Sequence, residues 1–266
     1  MQLKYSYFPG CKISGQLSDY GASTQTLMKH LGIEWVELQF NCCGYPIRHQ
    51  NLEASVFSAA RNMALAEHAH LDILTPCKCC FGNLKHSQHM LKNDSELFKR
   101  INDRLKDEGL TYSGSIEIKH LLTVLYHDVG LDSVQSHILH PYQSTTLVAA
   151  SYGCHALRPA NIMNFDHPFD PTIFEKVIAV SGAQTVFWPK RTECCGHPVF
   201  EKNPILSNDL LQSKISDAIE AGADIICTAC TYCQMQYERL GQNQLPVMTI
   251  SQLLKKAISG RSRSLT

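Results

Sequence analysis

The 266-residue chain carries 24 basic and 24 acidic side chains, with 44% hydrophobic and 18% charged residues, which is the profile of a folded globular protein of about two modest domains and excludes a disordered chain. Its zero net charge writes no polyanion-binding surface into the composition, so no nucleic-acid partner is expected. No run of about 18 apolar residues exists to span a membrane, and the N-terminal MQLKYSYFPGC has no apolar stretch of secretory length, so the expected location is the reducing cytoplasm.

In chain order, a short β-favouring run at 3–8 leads into Gly10-Cys11. Apolar residues at three-to-four spacing predict helices over 22–31, ending at Gly32, and over 52–68, where Phe57, Met63 and Leu65 are expected in the core. A second strand is predicted at 71–74, just before Cys77. Residues 91–110 are charged and read as a solvated helix or excursion, 116–129 as an amphipathic helix ending at Gly130, and 135–145, with Pro141, as a linker. A strand at 146–151 then leads into Gly153-Cys154, followed by a helix over 205–221 ending at Gly222 and a strand at 224–226. The small, polar tail 260–266 is predicted to fray. Strands alternating with helices predict an α/β fold with a parallel sheet, and such sheets gather ligands outside the carboxyl ends of their strands.

Twelve cysteines are too many for incidental packing, and in a reducing compartment they favour metal ligation or redox chemistry over disulfides. Their positions repeat. Cys11 is followed after 30 residues by Cys42-Cys43-Gly44 and after 33 more by Cys77-x-x-Cys80. Cys154 is followed after 39 residues by Cys194-Cys195-Gly196 and after 34 more by Cys230-x-x-Cys233. The flanks repeat as well, Gly10-Cys11 answering Gly153-Cys154 and Cys43-Gly44-Tyr45-Pro46 answering Cys195-Gly196-His197-Pro198. This is an internal duplication into two domains, 1–143 and 144–266, each expected to be a small parallel sheet flanked by helices with its cysteines at the strand ends. The second copy has nine extra residues between its first two motifs, placed within 158–171.

Four thiolates suit tetrahedral zinc or a four-iron cluster. Zinc ribbons pair two C-x-x-C knuckles, whereas here an adjacent Cys-Cys and a distant single Cys join one. Adjacent cysteines seldom aim both sulfurs at one small ion, but they can reach two irons of a larger cluster. The pattern therefore favours iron–sulfur ligation over zinc, with disulfides or inert thiols as the remaining alternatives. Five repeated cysteines per copy is one more than a cubane needs, which points to an unusual cluster or a cubane with a spare redox thiol.

Together with Tyr7-Phe8-Pro9-Gly10-Cys11, Lys119-His120-Leu121-Leu122, Tyr152-Gly153-Cys154-His155-Ala156-Leu157-Arg158-Pro159 and Phe165-Asp166-His167-Pro168, these motifs resemble the cysteine-rich CCG-domain family. The resemblance is greatest to the B subunit of heterodisulfide reductases and its relatives, and covers about residues 1–255. It implies that Cys11, Cys42, Cys43, Cys77 and Cys80 hold one cluster and Cys154, Cys194, Cys195, Cys230 and Cys233 another. Both would be noncubane 4Fe-4S clusters facing a cavity where a disulfide is split, with Cys43 and Cys195 as the catalytic residues. The implied protein is an oxidoreductase subunit acting on a small thiol or disulfide, in sulfur metabolism.

No C-x-x-C-x-x-C-x-x-x-C ferredoxin run and no flavin or nicotinamide fingerprint occurs in the chain, so a separate ferredoxin-like iron–sulfur subunit and a flavoprotein subunit are the expected partners. The alternative is a non-catalytic electron-transfer subunit linking a dehydrogenase of the succinate dehydrogenase or fumarate reductase type to a quinone or membrane partner. Tyr45-Pro46 and His197-Pro198 stand where many family members carry small residues, and point away from coenzyme M and coenzyme B as substrates.

Cys79 and Cys227 fall outside the repeated pattern and are expected to act as small buried hydrophobes, with a redox or alternative-ligand role as the other reading for both, since Cys227-x-x-Cys230 offers an alternative register. His155 and His197 adjoin the motifs and are candidates for hydrogen bonding to a cluster sulfur or supplying a proton. Lys78, Arg158 and Lys190 are candidates for offsetting cluster charge. Gly44 and Gly196 are expected to turn the backbone tightly against a cluster.

Overall fold

A computed structural model describes residues 2–240 and 244–260. It contains two four-stranded parallel sheets of identical topology. The first comprises β1 (Lys4–Tyr7), β2 (Glu34–Val36), β3 (Ile73–Thr75) and β4 (Ile118–His120), in the order β2-β1-β3-β4. The second comprises β5 (Leu147–Ser151), β6 (Gln184–Val186), β7 (Ile225–Thr228) and β8 (Val247–Thr249), in the order β6-β5-β7-β8. The register places Tyr5 beside Trp35 and Ser6 beside Ile73 in one sheet, and Val148 beside Thr185 and Ile225 in the other. The inner strands β3 and β7 are buried throughout, as expected for a parallel sheet covered by helices on both faces.

The covering helices start where the sequence supplies caps. Asn51 accepts a hydrogen bond from the Ala54 amide at 2.9 Å and opens helix Leu52–His68; Asn203 accepts from Leu206 at 3.0 Å and opens Pro204–Glu220. Met63 is buried in the core, while Phe57 and Leu65 pack half-buried against it. Helix Ile250–Ser259 of the second copy lies on helix Ser18–His30 of the first through a buried hydroxyl cluster: Ser23 Oγ is 2.7 Å from Ser251 Oγ, and Thr24 Oγ1 donates to it at 3.1 Å.

Three local expectations are revised. The segment 116–129 is not helical from its start, because 118–120 pair with β3 as strand β4 and the helical turns begin at Leu121. Its apolar residues serve first a strand and then a helix, and a single period cannot separate the two. The charged stretch 91–110 is divided at Asp94, whose carboxylate accepts from the Leu97 amide at 2.9 Å and opens a second helix, Ser95–Leu105, with Leu97, Ile101 and Leu105 buried. The expected linker 135–145 begins inside helix Leu131–Ser136 and is then tied down: the His140 amide donates to the Ala257 carbonyl and the Tyr142 amide to that of Ser181, both at 2.8 Å. The fraying predicted for 261–266 lies outside the described residues. Among the described residues no helix is long and apolar enough to cross a membrane.

Candidate functional site

The cysteine motifs gather at the carboxyl ends of the strands. Cys11 follows β1 and opens the short helix Cys11–Gly15, while Cys77 follows β3 and caps helix Lys78–Asn93. Cys230 follows β7 and immediately precedes helix Thr231–Leu240. The Cys42-Cys43 and Cys194-Cys195 pairs lie in the loops after β2 and β6.

Within each copy the sulfurs are linked pairwise. Cys11 Sγ lies 3.6 Å from Cys42 Sγ, and thiols near enough to shift one another's titration continue from Cys42 to Cys43, Cys80 and Cys77. In the second copy the links run from Cys154 to Cys194, Cys195, Cys233 and Cys230. The two strings meet. Cys79 Sγ, beside the first set, lies 3.5 Å from Cys230 Sγ of the second. Thr231 Oγ1, from the second copy, is 3.0 Å from Cys77 Sγ in the first. Among the described residues no group of three or more His, Cys, Asp or Glu side chains is arranged to hold a single metal ion.

The same residue of each adjacent pair is held as thiolate, the form that binds metals. Hydrogen bonds from Cys11 and then Cys43 pull Cys42 down to about 3 against the cost of burial, and Cys154 and then Cys195 pull Cys194 down to about 2. Cys11 and Cys154 are pushed up, chiefly by those same contacts. The Gly196 amide also donates to Cys194 Sγ at 3.4 Å.

The glycine expectation needs correction. Gly44 and Gly196 do adopt positive φ, +90° and +86°, but what a Cβ there would strike is the Ser55 or Ser207 carbonyl oxygen, 2.5 Å away on the following helix, and not a sulfur. The glycines that face sulfur are Gly10 and Gly153, where a Cβ would lie 2.7 Å from Cys80 Sγ and 3.3 Å from Cys233 Sγ.

Cys79 sits where the two sets join: His155 Nδ1 is 3.5 Å from both Cys79 Sγ and Cys154 Sγ. Cys227 instead lies inside β7 beside Ala150, its thiol pushed up by burial. Burial, and then Arg48 with Nη2 3.4 Å from Nε2, lowers His155 to about 4 and keeps it neutral. His197 is lowered to about 4 by burial and then Lys12. The two imidazoles end a row of rings: His155 is edge-on to Tyr45 at 4.8 Å, Tyr45 is 5.3 Å from Tyr232, and Tyr232 is 4.4 Å from His197. The large residues after each Cys-Cys-Gly thus contribute to one aromatic wall. A cavity of about 10 Å³, room for roughly one water, lies among Cys79, Cys154, Cys194, Cys195, Cys230 and Cys233, with Lys78 and Tyr232 also on its wall.

Of the candidate cations, Arg158 is exposed and the Lys190 ammonium is engaged by Ser213 Oγ. Lys78 is buried at the site, donating to the Ser151 carbonyl at 3.3 Å and lying 4.5 Å from the Phe174 ring centroid. Sequence reasoning missed Lys214, Thr231, Tyr232 and His120. His120 Nδ1 accepts from the Leu122 amide, which leaves Nε2 to donate to the carbonyls of Pro76 (3.2 Å) and Ala229 (3.1 Å), the residues just before Cys77 and Cys230. The only sequence signals were the presence of Thr231 and Tyr232 within a C-x-x-C and of His120 within a family stretch; nothing marked Lys214, whose partners are distant in the chain.

A family model described as the Cysteine-rich domain (CCG) matches residues 5–85 and 148–238. The B subunit of the ferredoxin/F(420)H(2)-dependent CoB-CoM heterodisulfide reductase of Methanosarcina acetivorans is 30% identical over 96% of this chain and 89% of its own length. A protein of Archaeoglobus profundus described as like the heterodisulfide reductase B subunit is 31% identical over 89% of this chain and 81% of its own. The 8-methylmenaquinol:fumarate reductase membrane anchor subunit of Wolinella succinogenes is 33% identical over 97% and 93%. Among solved structures, a hypothetical protein from Helicobacter pylori shares the fold with a TM-score of 0.73 at 14% identity; the match covers 98% of this chain, which spans half of that one. Two CCG domains in tandem and relatives matched along nearly the whole chain establish that this protein belongs to the CCG cysteine-rich domain family, among the proteins that resemble the heterodisulfide reductase B subunit.

Proposed function

We propose that this chain is the sulfur-active iron–sulfur subunit of a heterodisulfide-reductase-like complex. In this reading Cys11, Cys42, Cys43, Cys77 and Cys80 hold one noncubane four-iron cluster, and Cys154, Cys194, Cys195, Cys230 and Cys233 hold a second, one per copy across the division at 143/144. The donor set fits such a group: it consists of thiols carried mainly by loops, with Cys42 and Cys77 in the first copy and Cys194 in the second favoured as thiolates, and with glycine instead of a side chain beside Cys80 and Cys233. Clusters of this kind supply single electrons and iron that binds thiolate sulfur.

The observation that carries the reading is the meeting of the two copies at their C-x-x-C turns, with Cys79 Sγ 3.5 Å from Cys230 Sγ and Thr231 Oγ1 3.0 Å from Cys77 Sγ, where one small sulfur compound would face both sets. A disulfide takes up two electrons and two protons to become two thiols. Cys43 and Cys195, each next to a thiolate, are the catalytic cysteines in this reading. His155, neutral and within 3.5 Å of two sulfurs, offers a ring N–H to a developing thiolate, and the wall of Tyr45, Tyr232 and His197 limits water. Electrons would pass through a ferredoxin-like iron–sulfur subunit and a flavoprotein subunit.

Anaerobically purified protein is expected to be brown, with about eight irons per chain. The oxidised protein should give a paramagnetic signal that responds to a small thiol, a response lost in Cys195→Ser. A colourless protein with stoichiometric zinc refutes the reading. A second reading, an electron-transfer subunit joining a dehydrogenase to a membrane or quinone partner, is favoured by the 33% identity to a membrane anchor subunit, and is supported if the signal responds to no thiol.

A further inference from the structure

The two copies agree in topology and cysteine order but differ in the charge that faces each sulfur set. Among the described residues two lysines are fully buried, Lys78 and Lys214, each 1% exposed. Both face the second set. Lys214 occupies the place on helix Pro204–Glu220 that Asn62 holds on helix Leu52–His68, counted from the capping asparagines Asn203 and Asn51. The two side chains play the same structural part. Asn62 Nδ2 donates to the carbonyl of Asn41 at 3.3 Å, and Lys214 Nζ donates to that of Glu193 at 3.0 Å, each carbonyl lying just before a Cys-Cys pair. One copy does this with a neutral amide, the other with an ammonium.

Lys78 repeats the asymmetry. It follows Cys77 as Thr231 follows Cys230, and the two reach across the junction in opposite directions. The Thr231 hydroxyl meets Cys77 of the first set, whereas the Lys78 ammonium enters the second copy, bonds the Ser151 carbonyl and borders the cavity shared with Cys230 and Cys233. Beside the first set stands Lys12, half-exposed near Cys11, where solvent screens it. A fixed charge inside the protein acts on its neighbours far more strongly than one in water.

We propose that Lys78 and Lys214 make the second sulfur set the electron sink of the pair, giving the group bound there a higher reduction potential than the group bound by the first. This rests on the reading that both sets hold iron–sulfur clusters. A one-electron donor protein reduces the first group, beside the exposed Cys11; that electron then passes to the second group, which is reduced as the first is reoxidised. The excess negative charge comes to rest beside two ammonium groups.

The test is an anaerobic potentiometric titration of the full chain with dithionite, following visible and paramagnetic signals, with iron quantified in every sample. Cys154→Ser identifies which signal belongs to the second set. Lys214→Asn and Lys78→Thr each install the residue that the other copy uses, and each is expected to lower the reduction equilibrium constant of the second group tenfold or more, 59 mV for one electron, with the first unmoved. Asn62→Lys is expected to raise the first group by a similar factor, and decides the matter if the lysine variants do not fold. Iron-replete variants whose potentials stay put, or shift together, overturn the proposal. Wild-type protein that binds no iron overturns instead the reading on which it rests.

Discussion

Gly196→Ala asks an L-residue to satisfy two conditions at once. At φ +86° an alanine loses about 1 kcal/mol relative to glycine. Its Cβ would lie 2.5 Å from the Ser207 carbonyl oxygen, part of a helix backbone that cannot rotate aside, and overpacking of that kind costs about 1–3 kcal/mol. The total is about 2–4 kcal/mol. Gly109 provides the control: its φ is +70°, but nothing lies within 4 Å of a Cβ there, so Gly109→Ala should lose only about 1 kcal/mol. Urea unfolding of both variants, anaerobically and with thiols reduced, measures the difference through the shift in midpoint at constant m. The Gly196 amide also holds Cys194 Sγ, so iron retention should fall in Gly196→Ala and not in Gly109→Ala. Equal destabilisation of the two variants, within about 0.5 kcal/mol, would refute the argument that close helix approach demands this glycine.

His120 carries a pH dependence. Burial, and then Lys78, lowers it to about 3 in the folded protein, against about 6.5 when unfolded. Between those values the unfolded chain binds the extra proton, so this contribution is complete above about pH 6.5 and is lost as pH falls, at up to about 1.4 kcal/mol per pH unit. His120→Gln should flatten the slope of unfolding free energy between pH 6.5 and 4.5 by that amount, and an unchanged slope rejects the assignment. Cys227→Ala should cost about 1 kcal/mol through a small cavity and leave the iron content intact, because Cys227 lies inside β7. Cys79→Ala should keep its iron but alter the thiol-dependent signal; an identical response would remove Cys79 from the junction's chemistry. Ser251→Ala strips the shared partner of Ser23 and Thr24 and should cost about 1–3 kcal/mol in the same unfolding assay, with no measurable change as the contrary result.

Much of the architecture was legible because its signals are local. The β-favouring runs at 3–8 and 146–151, the helical spacing over 52–68 and the repeated cysteine order are each read along the chain itself, and the parallel α/β arrangement follows from them. The short edge strands β2, β4, β6 and β8 were not legible, since three residues establish no period, no cysteine motif directly follows them as one follows the equally short β3, and their pairing depends on which strand arrives beside them. Residues 118–125 show the same limit, their apolar side chains suiting a strand followed by a helix as well as one helix.

The site divides in the same way. Spacing alone separated ten repeated cysteines from Cys79 and Cys227, and correctly set Cys227 apart as a packed side chain, but it grouped Cys79 with it. Cys79 is near Cys230 and His155 only because the two copies pack with their C-x-x-C turns together, pinned by one imidazole between the Pro76 and Ala229 carbonyls. The sequence by itself determined the duplication, the α/β class and the cysteine order, since these are periodicities along the chain. Only the tertiary structure decided that Lys78 serves the opposite copy, that Lys214 replaces Asn62 beneath the Cys-Cys loop, and that the missing Cβ of Gly196 answers to a helix and not to a sulfur. Each of these depends on a contact between segments well separated in sequence, and a local pattern carries no information about which distant group will be there.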